Sequence, residues 1–274
     1  MRTERLARWV LTAALVVFGA VMLAPLVWLM SESFTEETSA FYLPPSWIPR
    51  DFTLDNFASM AELIPFGRMF LNSVIVSVVA TTGALLVSVM AAYAFSRLRF
   101  RFRDRLFALM LAALMVPMQL TVIPVFILMR NLQLVDTLGA LILPALINVF
   151  AIFFFRQYFN SIPRELDEAA TLDGAGHGWI LFRMLLPLSG PALAAMTILN
   201  FEATWNNYFG PLIFIRSEEQ MTLPIGLVTL QAGQSGSSVV VFAAITAVVV
   251  PALVVFLLFQ RAFIASVATA GVRG

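Results

Sequence analysis

The sequence predicts an all-α membrane protein with six transmembrane helices. Three observations carry that prediction. The 274-residue chain is 60% hydrophobic and only 12% charged, where a soluble domain would carry about a quarter charged residues. Its apolar residues gather in six long runs almost free of charge. Its arginines fall mostly in alternate loops.

A spanning helix needs about 20 mostly apolar residues. The runs that meet this are Trp9–Met30, Phe70–Phe95, Leu106–Met129, Leu138–Phe155, Leu188–Leu212 and Val239–Phe259. Arg2, Arg5 and Arg8 precede the first run, as in a signal peptide. Its length and the lack of a small-residue cleavage site favour a retained span. Pro117 and Pro124 predict a kink in the third run.

Arginine placement sets the expected orientation. Arg2, Arg5, Arg8, Arg97, Arg99, Arg101, Arg103, Arg105, Arg156, Arg164, Arg183, Arg261 and Arg273 share one set of loops. The other set holds Arg50, Arg68, Arg130 and Arg216, with most of the acids, Glu32 among them. An excess of basic residues marks the cytoplasmic side, so both termini are expected inside. The long outer loop contains YLPPSWIPRDFTLDNF, whose prolines and aromatics suggest an interfacial layer. SRLRFRFRDR, Ser96–Arg105, reads as a tight inner turn anchored by Arg and Phe at headgroup level, rather than as a nucleic-acid element.

Several chemistries are excluded by composition. There is no cysteine, one histidine (His177) and no lysine, so thiolate metal sites, a His-based triad and a GxxxxGK[ST] phosphate loop are all missing. No metal site is expected.

One polar stretch interrupts the apolar pattern: ELDEAATLDGAGHGWILFRMLLPL, Glu165–Leu188. Ser161 is placed to cap a helix whose first turns carry Pro163, Glu165, Asp167 and Glu168, all favourable there. Leu166, Ala169, Ala170 and Asp173 recur at helical spacing, and two alanines let another surface approach closely. Gly174 is placed to end the helix with positive φ. Trp179, Phe182, Arg183 and Leu186 begin a second helix, and Pro187 opens the next span. Such a knob suits docking rather than catalysis, and His177 reads as a turn residue.

This stretch resembles the EAA loop of ABC importer membrane subunits: Glu168-Ala169-Ala170, three residues, Gly174, then an apolar helix ending in Leu186-Pro187. The DGA at Asp173–Ala175 is similar to the carbohydrate-uptake (MalG-like) branch. FLNSVIVS, AAYAFSRLRF, MVPMQLTVIPVF, TLGALILPAL, FFFRQYF, TWNNYFGPLIF, LPIGL and the tail TAGVRG fall in that family's order. Two departures stand out. Arg101-Phe102-Arg103 replaces the Pro-Gly usual in the second inner turn, and Arg273 replaces the usual tail lysine.

The resemblance implies a type I importer permease fold in the bacterial inner membrane. It implies a first helix and outer loop over 1–68, a transmembrane core over 69–262 with the coupling loop at 161–187, and a cytoplasmic tail over 263–274. Glu165, Glu168, Ala169, Ala170, Asp173, Gly174, Leu186 and Pro187 would dock a cytoplasmic ATPase. The implied partners are a homologous second permease, two copies of the ATPase, an extracytoplasmic solute-binding protein and membrane lipid. ATP and Mg would be used by the partner, with no cofactor on this chain.

Glu202 is the one ionisable residue within the six runs, where an acid costs about 2.5–3.5 kcal/mol. Helical spacing puts it with Trp205, Asn206 and Phe209. An aromatic face beside an acid and an amide suits a sugar ring, and an interhelical hydrogen bond suits the pattern equally. Gln119 is a further candidate for lining the substrate path. An ion-coupled secondary transporter would need more midplane charges, and an importer subunit for a non-carbohydrate solute remains the other alternative.

Overall fold

The computed structural model describes residues 2–36, 47–49, 51–232 and 237–271, with side chains over 7–36, 47–49, 51–232 and 237–261. Most of the YLPPSWIPR stretch and the last three residues of the tail lie outside the described residues. The described chain is helical, with one isolated antiparallel bridge, Thr35 to Phe52. Four helices are long and apolar enough to cross a membrane: Ala7–Ser33, Phe66–Arg97, Gly139–Ser161 and Ser238–Arg261. Two bent pairs, Arg103–Met115 with Met118–Asn131 and His177–Leu188 with Gly190–Trp205, bring the total to six when each is one span.

Packing divides the chain into two compact units, Met1–Gly67 with Gly226–Val250, and Arg68–Ile225 with Pro251–Gly274. In the first, α1 (Arg2–Ser33) leads to α2 (Asp55–Leu63). Asn56 Nδ2 donates to the carbonyls of Ser33 and Thr35 at 3.0 and 2.9 Å, tying α2 to the end of α1. Phe34 stacks on Phe52 and packs on Phe57. Glu32, expected in the outer loop, instead sits in the last turn of α1 and is 1% exposed. The Trp28 indole donates to its Oε1 at 3.1 Å.

In the second unit, α3 (Phe66–Arg97) is the element on which the others pack. Its buried face carries Ser73, Ser77, Ala80, Thr81, Ala84, Ser88, Ala92 and Ser96, at steps of three and four. Lipid tails are as apolar as leucine, so helices in a membrane associate through close packing, which small residues permit. Two apolar clusters form against this face. One joins Val76 to Met129, Leu141, Phe214 and Ile215. The other begins at Val89, about 20 Å further along α3, and joins Tyr93 to Phe155, Phe159, Leu185 and Met196.

The breaks between helices follow local chemistry. Between α4 (Arg103–Ala112), with its terminal turn Ala113–Met115, and α5 (Met118–Asn131), the chain bends by 104°. Val116 is extended ahead of Pro117, as a residue before proline prefers. The expected kink is therefore a corner at Pro117, while Pro124 lies inside α5. Between α6 (Gly139–Ala145) and α7 (Val149–Ser161), Asn148 accepts from the Ala151 N–H and caps α7. Its Nδ2 donates to Asn200 Oδ1 at 2.6 Å, and its carbonyl accepts from the Ser88 hydroxyl.

Two expectations need correction. The run Leu188–Leu212 is not one helix: α11 (Gly190–Trp205) stops at Asn206, and α12 (Phe209–Phe214) is separate. Asn207 accepts from the Gly210 N–H there, because the amide offers that backbone donor a partner other than the helix. Ser161 does not cap the helix after it; its hydroxyl donates to the Tyr158 carbonyl. Among the described residues, α14 (Ser238–Gly271) continues past Phe259 without a break at 262.

Near α12, Asp136 at φ 65° accepts from the Ser217 and Arg216 N–H groups and from the Ser217 hydroxyl. Those donors, led by the Ser217 N–H, hold its carboxyl below the usual carboxylate range.

Asn148→Ala removes a helix cap and strands Asn200, so thermal unfolding in detergent should show a loss of about 2 kcal/mol, the sum of a cap and an intramembrane hydrogen bond. Asn200→Ala, which leaves the cap, should lose about half as much.

Candidate functional site

The polar stretch folds as α8 (Glu165–Leu172), a turn, and a second helix in which α9 (His177–Trp179), the π-helical turn Ile180–Leu185 and α10 (Leu186–Leu188) run on without interruption. Glu165, Asp167 and Glu168 occupy the first turn of α8, complementing its positive end. Gly174 has φ 86°, and no atom lies within 4 Å of where its Cβ would be, so the dihedral alone calls for glycine. The Gly174 N–H donates to Thr171 O and the Ala175 N–H to Ala170 O, at 3.0 and 2.9 Å. This is the paired bond of a Schellman ending. The wide π turn stops two residues before Pro187, whose ring and missing N–H disrupt an ordinary helical turn.

Three attachments fix this loop to the helices beneath it, and none was singled out for that role by sequence. Arg97, at the end of α3 and with a side chain 5% exposed, places Nε 2.7 Å from Asp167 Oδ2. Its terminal Nη2 donates to the Ile162 carbonyl at 2.9 Å. The Arg97–Asp167 contact is an ion pair without an aligned hydrogen bond, and Asp167 Oδ1 is buried with no hydrogen-bond partner. Burial accordingly raises the Asp167 carboxyl above its usual range, with Arg97 and Arg164 offsetting only part of the effect. Arg164 donates to the Ser96 carbonyl at 3.0 Å. The Tyr93 hydroxyl and His177 Nδ1 share a hydrogen bond of 2.9 Å, so His177 is a fastening, beyond the turn role expected of it. Asp167 is therefore part of the anchor rather than of an acidic rim.

Away from this anchor the loop is open. Leu166, Ala170, Asp173, Gly174, Trp179 and Met184 line a groove of about 550 Å³. Leu166, Leu172, Trp179 and Phe182 are exposed, Leu172 by 89%. Glu165, Glu168 and Ala169 face outward, while Ala170 and Leu186 pack on the inner cluster of α3 and Pro187 is exposed. Of the expected docking residues, Ala170, Asp173 and Gly174 thus meet at the groove, and Glu165, Glu168 and Ala169 stand beside it.

The expected face around Glu202 is only half formed. Glu202 and Asn206 are both exposed, one turn apart, with Asn206 Nδ2 3.5 Å from Glu202 Oε1. Trp205 turns away from them and is 1% exposed, stacked on Phe201 and edge-on to Phe70. Phe209 belongs to α12, beyond the break. A small cavity beside Trp205, about 10 Å³, is too small for a sugar ring. Gln119 is exposed on α5, just past the Pro117 corner. It makes no hydrogen bond or ring contact with Glu202, Trp205 or Asn206. Among the described residues no three acids or histidines come together to hold a metal ion.

The fold and this loop define a polytopic membrane subunit that presents a fastened polar element between two of its apolar helices. The chain belongs to the family of binding-protein-dependent transport system inner membrane components, whose model matches residues 84–269. It is a permease subunit of an ABC importer in the inner membrane, and subunits of this family work with an ATPase and a solute-binding protein. It is 39% identical to the arabinooligosaccharides transport system permease protein AraQ of Halalkalibacterium halodurans, over 100% of this chain and 99% of that one. It is 33% identical to the diacetylchitobiose uptake system permease protein NgcG of Streptomyces coelicolor, over 93% and 85%. The lactose transport system permease protein LacG of Rhizobium radiobacter is 35% identical, over 77% of each chain. A chain in the crystal structure of a bacterial ABC transporter involved in alginate import superposes with a TM-score of 0.79 at 27% identity, covering 96% of this chain and 98% of that one.

Arg97→Gln leaves Asp167 buried and unpaired, a loss of about 3 kcal/mol that should appear as protease cleavage near Gly174. The double change Arg97→Gln with Asp167→Asn removes the stranded charge and should restore most of the protection. A carboxyl whose folded pKa is raised stabilises the fold below its unfolded pKa, and that contribution is lost as pH rises through the folded value. Cleavage of Arg97→Gln should therefore be greatest at neutral pH and fall as the medium is acidified towards that value.

Proposed function

We propose that this chain forms half of the translocation path of an ATP-driven importer for a sugar or sugar-like solute, and that its coupling loop docks an ATPase subunit. The observation that carries the reading is the loop itself. Apolar side chains at Leu166, Leu172 and Trp179 stay exposed on an element otherwise acidic and tightly fastened. Exposed apolar groups gathered around a groove mark a protein contact, and Glu165 and Glu168 supply the charge for a basic partner. The sugar assignment draws on the arabinooligosaccharide, diacetylchitobiose, lactose and alginate systems named among the relatives.

In this reading both termini and the loop are cytoplasmic, and the complex holds a second homologous permease, two ATPase copies and an extracytoplasmic binding protein. ATP and Mg act on the partner, since this chain has no phosphate-binding loop and binds no cofactor. Closure of the ATPases moves the loops, and the fastened helices follow as rigid bodies, alternating access between the two faces. Glu202 and Asn206 contribute polar groups to the solute path, while Trp205 supports them from behind and Gln119 lines the path separately.

Glu168→Lys turns an attraction of up to about 1 kcal/mol into repulsion, which should reduce copurified ATPase about fivefold. Gly174→Val forces a branched residue to positive φ and should release the ATPase as well, at a cost of about 2 kcal/mol in the loop. Both variants should remain in the membrane, and a reporter fused at Gly176 should read as cytoplasmic. Normal uptake with both, or an outside signal at Gly176, defeats the docking assignment.

For the path, Glu202→Gln keeps size and hydrogen-bonding capacity. It should weaken apparent uptake affinity about tenfold, the worth of a charged hydrogen bond, with subunit abundance unchanged. A fall in thermal stability with solute preference fixed, in Gln and Ala variants alike, returns Glu202 to a structural role.

A further inference from the structure

The Ser96–Arg105 turn forms a second concavity, of about 650 Å³, lined by Arg99, Arg103, Arg105 and Arg164 together with Phe100 and Phe102. One carboxylate, Asp104, also faces it, and that group is already engaged by Arg103 at 3.1 Å and by Arg156 at 3.5 Å. Among the described residues Arg99 and Arg105 have no carboxylate partner. The pocket also lies at the start of α4, where no side chain caps the helix and the Arg103 N–H is taken by the Phe100 carbonyl, and the remaining N–H groups of a helix start favour an anion. Four guanidinium groups against one committed carboxylate make a strong anion site.

The backbone adds a separate observation. Phe102 has φ 64°, a left-handed conformation that a bulky residue rarely adopts, at the turn where Arg101-Phe102-Arg103 stands in place of the usual Pro-Gly. Glycine would take that φ without strain. The strained turn holds the Phe102 ring close to two cations, with Arg101 Cζ 4.6 Å and Arg105 Cζ 5.7 Å from its centroid. Strain of this kind persists where a side chain is held for use.

We propose that this pocket binds the phosphate group of an anionic phospholipid in the inner leaflet. The turn joins the end of α3, a membrane-crossing helix, to α4, the first half of a bent pair, and with α3 ending in the inner leaflet the pocket sits at headgroup depth. Phe100 and Phe102, both exposed, reach towards the acyl boundary as interfacial aromatics do. Basic pockets between spans on the cytoplasmic side suit anionic headgroups, with each nearby arginine strengthening binding about fivefold. The proposal rests on the inward placement of the turn, which the fusion at Gly176 scores separately.

The test uses the full chain in its transporter complex, solubilised with equal phosphatidylcholine and phosphatidylglycerol, with retained lipid counted by native mass spectrometry. The wild type should hold phosphatidylglycerol in preference, and Arg99→Gln or Arg105→Gln should each lower that retention about fivefold. Phe102→Gly should lower retention while thermal stability is kept or raised, a separation that a merely structural ring would not give. Excess inorganic phosphate should leave the lipid in place. Equal retention by wild type and variants overturns the proposal, and displacement by inorganic phosphate overturns the lipid as its source. Loss of the ATPase from the arginine variants with lipid retention unchanged also overturns it, making the pocket a protein-docking surface.

Discussion

Every backbone polar group that leaves a helix inside lipid must find its partner within the protein, and the architecture depends on how that demand is met. Several of the breaks between helices are placed where a side chain answers it. Asn148 caps α7 and reaches Asn200, Asn207 holds the start of α12, and Ser73 accepts from the Leu223 N–H. Asn72 takes the carbonyls of Glu219 and Met221. Ser189, fully buried, donates to Leu185 O at the 81° corner before α11. Without these groups the bends would leave buried amides and carbonyls unpaired, each costing about 1–3 kcal/mol.

The same economy shapes the coupling loop. Arg97 is nearly enclosed, so its charge is tolerable only beside Asp167 and the Ile162 carbonyl. That need fastens α8 to the end of α3 rather than leaving it on a free tether. Tyr93 with His177, and Arg164 with Ser96, repeat the attachment at two further points. A force applied at the exposed groove therefore reaches the small-residue face of α3 directly, and through it the elements packed there.

Much of this was legible in the sequence, because lipid imposes long apolar runs and glycine imposes turns. The four long apolar helices, the corner near Pro117 and the positive φ of Gly174 follow from such one-body rules. The fastening of the loop does not, because Arg97 and Asp167 lie far apart in the chain and each has a bland local reading. Trp205 was misplaced for a geometric reason. From Glu202 a step of three residues falls about 60° to one side and a step of four about 40° to the other. Asn206 therefore shares the exposed face while Trp205 turns inward. The run Leu188–Leu212 was also carried across the polar pair Asn206-Asn207, where the helix in fact breaks.

Gly174 and Glu168 illustrate two kinds of genetic constraint on one loop. In the proposed docking, Glu168 is held by the charge it meets on the partner, so a reciprocal change in another gene would compensate for its loss. Gly174 is held by its own dihedral, with nothing within 4 Å of its missing Cβ. A substitution there has no neighbour to accommodate it, so suppressors arise only within this chain, in residues that relax the turn. On the proposed docking, the loop thus pairs a position answerable to another subunit with one answerable only to its own backbone.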